Sequence, residues 1–396
     1  MYTLSDIELK NKRVLVRSDL NVPILKGSIV DDSRIKASLA TYQYILAQGG
    51  SLAIMSHLGR PNVATNSTNN AGEFSLAPIV PVLAELLGKE VELIINFVPS
   101  FSMDSSKVYL YENTRLIAGE KSCCPQLAQN MASCCDIFVM DAFASCHRQD
   151  ASTYGILEYA DQFCAGFLLE MEVAALSKLM NNPDRPTMAV IGGAKISGKI
   201  DIIMSLLEDI DCLVVVGAMA NTFLAASGLN IGKSLYEKDK LGAANNILTA
   251  AKAQKVLFYM PQDIIVMQAD ESIKCKDVEN VADSDIIYDI GTKSLEYLEK
   301  MLAKAKTLIW NGPLGKYEDP RFALGGISFA KMVALSNIHS IAGGGDTIGV
   351  IKAAGVYDKV SYISTGGGAF LSLLENKKLP CLEKIYTIGK ENAKTD

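Results

Sequence analysis

No run of apolar residues approaches the eighteen or so that a membrane-crossing helix needs, although about half of the 396 positions are apolar. The chain opens without a basic stretch leading into an apolar one, because Met1-Tyr2-Thr3-Leu4-Ser5-Asp6 goes straight into charged residues. Both absences make the cytosol the expected compartment. No block of basic residues would track a nucleic-acid backbone, and the net charge of −6 is spread along the chain. Neither nucleic acid nor a membrane is therefore an expected partner. No C-x-x-C pair opens a tetrahedral metal site. The nine cysteines are odd in number and irregularly spaced, and the neighbours Cys123-Cys124 and Cys134-Cys135 point apart, so they read as reduced thiols filling helix faces. Also missing are a Ser/His/Asp order, an H-E-x-x-H helix, a carboxylate pair set apart and a repeat of fixed period.

The length exceeds that at which one core keeps growing, so two domains are expected. Short β-branched runs alternate with segments of helical period, the pattern of an α/β fold with parallel sheets buried on both faces. Strands are expected at Val14–Arg17, Leu52–Ser56, Val91–Ile95, Val108–Tyr111 and Ile137–Met140. In the second half they fall at Met188–Ile191, Leu213–Val216, Val256–Tyr259, Ile286–Asp289, Thr307–Trp310, Ser340–Ala342 and Ser361–Ser364. Phe167 to Met180 has a helical pattern before the breaker Asn181-Asn182-Pro183 and carries the domain junction. The Asn- and Thr-rich stretch Asn62–Gly72 reads as a mobile surface loop.

The halves end their strands differently. The first ends in charge: Arg17-Ser18-Asp19, Ser56-His57-Leu58-Gly59-Arg60, Glu112-Asn113-Thr114-Arg115, and Asp141 through His147-Arg148. The second ends in glycine: Gly192-Gly193, Gly217, Gly291, Gly312, Gly343-Gly344-Gly345 and Gly366-Gly367-Gly368. Open α/β sheets bind ligands at these strand ends. Arg17, Arg34, His57, Arg60, Arg115, His147 and Arg148 suit a small anion, since arginine's planar fork matches phosphate and carboxylate, although any one of them alone reads as well as a surface ion-pair residue. The two histidines lack a carboxylate partner in sequence and are assigned to anion binding rather than proton transfer.

Glycine lets backbone approach a phosphate closely, and its repetition around one sheet edge suggests a nucleotide. Neither common fingerprint is met. Gly193-Ala194-Lys195-Ile196-Ser197-Gly198-Lys199 has Walker A spacing, but Ile200 stands where a hydroxyl would reach magnesium. Gly343-Gly344-Gly345-Asp346-Thr347-Ile348-Gly349 is one residue too long for G-x-G-x-x-G. Lys195 and Lys199, four apart, would share a helix face if the segment opens a helix. The lack of an acid–base group fits phosphoryl transfer to an oxygen already ionised, which needs positioning and charge neutralisation but no base.

At this point the chain resembles the phosphoglycerate kinase family over nearly its full length. The resemblance rests on Val14–Pro23, Asp32-Ser33-Arg34-Ile35, Ser56–Pro61, Glu112–Arg115, Cys146-His147-Arg148, Gly192–Lys195, Trp310–Gly315, Gly344–Thr347 and Ser364–Ala369. It implies two Rossmann-like three-layer α/β/α domains on a hinge helix, 1–170 with a returning tail 378–396 for the phosphoglycerate and 171–377 for the nucleotide, which close before chemistry. It further implies reversible transfer between 1,3-bisphosphoglycerate and ADP, giving 3-phosphoglycerate and ATP with Mg²⁺, by a monomeric glycolytic phosphotransferase with a carboxyl acceptor.

By the same resemblance, Asp19, Asn21, Arg34, His57, Leu58, Gly59, Arg60, Arg115 and Arg148 form the triose site, with Asp19 and Asn21 on the hydroxyl and the cations on phosphate and carboxylate. Lys195, Lys199, Asn311, Glu318, Gly344, Gly345, Asp346 and Thr347 form the nucleotide site, with Glu318 on the ribose and Asp346 on the metal. Arg34, Lys195, Lys199, Gly345 and Gly368 are the implied catalytic set. The chain departs from the family pattern at Ser18, Leu20, Gln149, Asp150, Gly198 and Gly326. Two other readings stay open: a silent relative kept as a scaffold, and a nicotinamide dehydrogenase on a similar fold.

Overall fold

The computed structural model describes residues 1–61, 72–98, 101–181, 183–375 and 377–392. The expected loop at 62–72 therefore lies outside the described residues except for Gly72. The chain forms two compact units, Met1–Ala174 with Lys378–Asp396, and Ala175–Lys377. The helix Phe167–Asn181 runs through the division between them.

The first unit has strands β1 (Arg13–Ser18), β2 (Ile24–Leu25), β3 (Ser28–Ile29), β4 (Ser51–Met55), β5 (Glu90–Ile94), β6 (Lys107–Tyr111), β7 (Ile137–Asp141) and β8 (Phe163–Ala165). Six of them make a parallel sheet in the order β5-β6-β4-β1-β7-β8, while β2 and β3 pair as a small hairpin. Every residue of β4 and β7 is buried, which is why these strands read as continuous apolar runs rather than alternating ones. On one face Val14, Val16, Ile54, Leu110 and Val139 pack with Ile35, Tyr42 and Ile45 of the helix Ser33–Ala47 and with Leu83 of the helix Val80–Leu87. Asp141, at the end of β7, accepts from the amides of Leu168 (2.9 Å) and Leu169 (3.1 Å), so it caps the junction helix. The last helix, Pro380–Asn392, belongs to this unit, where Lys384 pairs with Glu158 and the Cys381 amide donates to the Cys146 carbonyl at 3.5 Å.

The second unit contains β9 (Thr187–Ile191), β10 (Cys212–Val215), β11 (Leu257–Tyr259), β12 (Asp263–Met267), β13 (Ile273–Asp277), β14 (Ile286–Ile290), β15 (Thr307–Asn311), β16 (His339–Gly343) and β17 (Tyr362–Ser364). Its parallel sheet has the order β11-β10-β9-β15-β16-β17, which reverses direction between β9 and β15. Trp310, fully buried on β15, meets Phe329 edge-on at 5.0 Å in the core.

Two expectations need correction. The strand at Ile286 is not part of the parallel sheet: it pairs antiparallel with β12, which also pairs with β13, in a separate three-stranded sheet. Gly291 therefore follows a strand of that small sheet. The lysine segment does not open a helix, because helical residues begin at Ile200, so Lys195 and Lys199 share no helix face.

Candidate active site

In the first unit the charged strand ends converge. Arg34, in the first turn of its helix, donates from Nη1 to Asp19 Oδ2 at 2.7 Å, and the Asp19 side chain is 3% exposed. The Gly59 amide donates to Asn21 Oδ1 at 2.8 Å, and Arg115 Nη1 donates to the Gly59 carbonyl at 2.5 Å. The turn at Gly59 needs its positive φ of 62°, and a Cβ there would lie 2.5 Å from the Phe74 ring. Leu58 is buried and held by Asn113, whose side chain donates to its carbonyl (2.8 Å) and accepts from its amide (3.1 Å). Arg60 is exposed at the outer end of the same loop.

Arg17 and His57 are not exposed cations. Arg17 is fully buried, with Nε on Ser152 Oγ (3.0 Å), Nη1 on the Ser18 carbonyl (2.5 Å) and Nη2 at 3.2 Å from His57 Nδ1. Burial first, then the positive charges of Arg17, Arg148, Arg34 and His147, holds the His57 pKa well below the usual imidazole range. Both effects disfavour an imidazolium at His57, and the neutral ring can serve an anion as a hydrogen-bond donor. Burial lowers the His147 pKa as well. Arg115 Nε and Arg148 Nη1 are buried without a hydrogen-bond partner among the described residues. Two cationic side chains left short of acceptors beside Asp19, Asn21 and His57 describe a place prepared for an anion.

In the second unit the ends of β9 and β15 pass so closely that both must be glycine. A Cβ on Gly192 would overlap the Pro313 carbonyl oxygen, and one on Gly312, whose φ is +97°, would overlap the Gly192 carbonyl. Lys199 folds back over this crossing, with Nζ 2.6 Å from both the Gly192 carbonyl and Asn311 Oδ1. Burial lowers its pKa to about 8, against a small raising effect of Asp346. Asn311 also donates from Nδ2 to the Gly343 carbonyl (2.7 Å), and Thr347 Oγ1 accepts from the Gly312 amide (2.7 Å) and donates to Gly343 (2.9 Å).

Gly344, φ +98°, has room only for hydrogen against Asn311, and Gly345 and Asp346 begin the helix Gly345–Ala353 as exposed residues. Gly368 is exposed in the first turn of the helix Gly367–Leu374, and Lys195 is exposed too.

A pocket of about 550 Å³ opens beside this edge, lined by Gly193, Gly217, Glu318 and Asp346 and by apolar Leu224, Leu235, Ile264, Ile286, Pro313 and Leu314. Aliphatic side chains and polar groups thus line the same pocket, as a nucleotide requires. The lining includes β12 and β14 of the small antiparallel sheet, which sequence periodicity does not tie to the glycine turns. Sequence reading also misses Glu120 and Ser152, each of which acts across more than thirty positions of chain.

A family model described as "Phosphoglycerate kinase" matches residues 4–377. A phosphoglycerate kinase of Francisella philomiragia is 43% identical over 384 residues, covering 96% of this chain and 97% of the relative. The solved structure of phosphoglycerate kinase from Coxiella burnetii superposes with a TM-score of 0.90 at 41% identity, covering 98% of this chain and 99% of that one. That of the Pyrococcus horikoshii enzyme gives 0.80 at 29% identity, with 98% of each chain covered. Matched nearly end to end by these relatives, the chain belongs to the phosphoglycerate kinase family.

Proposed function

We propose that the chain catalyses reversible phosphoryl transfer between 1,3-bisphosphoglycerate and ADP, giving 3-phosphoglycerate and ATP in glycolysis. The observation that carries this reading is the division of chemistry between the units. One offers guanidinium groups short of acceptors, the other close-passing glycine turns and a pocket of about 550 Å³ lined by their neighbours Gly193 and Pro313.

The triose binds at the first unit's strand ends. Arg60, Arg115 and Arg148 take its phosphate and carboxylate, His57 and the Leu58-Gly59 turn add hydrogen bonds, and Asp19 and Asn21 hold the hydroxyl. Arg34 reaches the transferring group. The acceptor carboxylate is ionised at neutral pH, so no base is needed, and the rate comes from alignment and from donors aimed at the developing charge. On the nucleotide, Lys195 and Lys199 meet the phosphates, Asn311 steadies the phosphate chain, and Glu318 holds the ribose. The amides around Gly344, Gly345, Thr347 and Gly368 supply further donors.

Among the described residues no cluster of three or more metal-ligating side chains exists. Magnesium typically arrives with substrate phosphates and needs one or two carboxylates from the protein, so Asp346, an exposed pocket carboxylate at the start of its helix, suits it. When bound, the ion neutralises charge on the phosphate oxygens. No helix among the described residues is long and apolar enough to cross a membrane, which fits a cytoplasmic enzyme; we take it to be a monomer. A coupled assay of ATP-dependent phosphorylation of 3-phosphoglycerate tests the proposal: turnover that needs Mg²⁺ is expected, and its absence under all nucleotide conditions would refute it.

A further inference from the structure

Arg17 stands in sequence among the cationic strand ends, yet it is fully enclosed, and its Nη2 lies 3.2 Å from His57 Nδ1. A guanidinium has donors only, so at that distance Nδ1 must be the accepting nitrogen and the ring's single proton sits on Nε2. A protonated Nδ1 would set two N–H groups against each other. We propose that Arg17 is a positioning residue that fixes His57 as the neutral Nε2–H tautomer, so that this strand-end histidine offers an anion one directed hydrogen bond of constant strength across neutral pH.

The arrangement is held from behind. Ser152 Oγ accepts from Arg17 Nε and donates to Glu120 Oε1 at 2.5 Å, and the Ser152 amide donates to Glu120 Oε2 at 3.0 Å. Glu120 is 1% exposed, so the chain Glu120, Ser152, Arg17, His57 lies inside the unit. The charges around it agree in sign of effect: Glu120, Asp19 and Asp150 favour the guanidinium, while Arg148, Arg34 and His147 join Arg17 in opposing an imidazolium. The benefit to anion binding rests on the function proposed above; the tautomer does not.

The chain has three histidines, so the ring nitrogens of the ¹⁵N-histidine-labelled full-length protein can be followed by NMR without substrate. The expected spectrum shows His57 neutral and protonated on Nε2 at neutral pH. Arg17→Met should admit the other tautomer and raise the His57 pKa, which burial and the remaining positive charges still hold below the ordinary range. In the same variant the KM for 3-phosphoglycerate should rise about tenfold and become pH-dependent while that for ATP stays put. Arg17→Lys restores a donor and should return the Nε2–H signal. A wild-type His57 protonated on Nδ1, or titrating near about 6.5, would overturn the proposal even if Arg17→Met fails to fold. An Nε2–H wild-type spectrum from a protein inactive on 3-phosphoglycerate would instead count against the function.

Discussion

The Lys199 ammonium lies 2.6 Å from the side-chain oxygen of Asn311, tying the turn after β9 to the end of β15 at the point where the second sheet reverses its strand order. Ligands of open α/β sheets gather at such a point. An amine enclosed there gives up its proton more readily, hence a pKa of about 8. As the pH passes above about 8, Lys199 loses charge and kcat/KM for ADP should fall. Lys199→Arg should move that alkaline limb out of range, and Lys199→Ala should abolish it at a cost of about a hundredfold in kcat/KM. Initial-rate pH profiles check this. Because the folded pKa is the lower one, the unfolded chain binds more protons between about 8 and 10.5, so Lys199 opposes folding at neutral pH and less so as the pH rises through that window.

Arg34 and Asp19 form a salt bridge directly in the candidate triose site. Arg34→Ala should lower kcat about a hundredfold and leave the Kd for Mg·ADP within about twofold, since the proposed function puts that ligand on the other unit. Steady-state kinetics beside calorimetry separates the two, and equal losses in both would contradict the assigned role.

Burial raises the Asp141 pKa from 3.8 to about 7. The folded chain thus keeps a proton that the unfolded chain releases, a contribution to stability fully present below about pH 4 and lost as the pH climbs through about 7. Asp141→Asn keeps an oxygen for the Leu168 and Leu169 amides without the ionisation. It should therefore gain stability relative to the parent as the pH rises from about 4 to about 7. Hydrogen exchange of those two amides against pH reads this locally.

Gly312→Ala places a Cβ on the Gly192 carbonyl at a φ of +97° and should cost about 3 kcal/mol or prevent folding. Gly345→Ala meets nothing within 4 Å and should leave the urea midpoint unchanged.

The parallel sheets were legible because their strands, buried on both faces, read as apolar runs at regular intervals. The strand β13, Ile273-Lys274-Cys275-Lys276-Asp277, shows no such run, since it is a largely exposed edge, and β8 is only three residues long. Ile286–Ile290 joined the wrong sheet because its antiparallel neighbour, β12 (Asp263–Met267), is not among the expected strands either, and β13 pairs only with β12. At the candidate site, residue type revealed the arginines and the glycine turns. It did not reveal that Arg17 faces inward or that Lys199 folds back on Asn311. Those facts depend on partners 135 and 112 positions away, Ser152 and Asn311, which one sequence does not pair. At Gly326 a Cβ would lie 3.1 Å from Val350, so a larger residue requires Val350 to shift.

Calorimetric titration of 3-phosphoglycerate and of Mg·ADP, each alone, into the parent and into Arg60→Ala/Arg148→Ala tests most directly that anion and nucleotide use separate units. Each ligand should bind the parent once, and the double variant should lose 3-phosphoglycerate while binding Mg·ADP unchanged. Loss of both ligands together from a folded double variant would contradict the account.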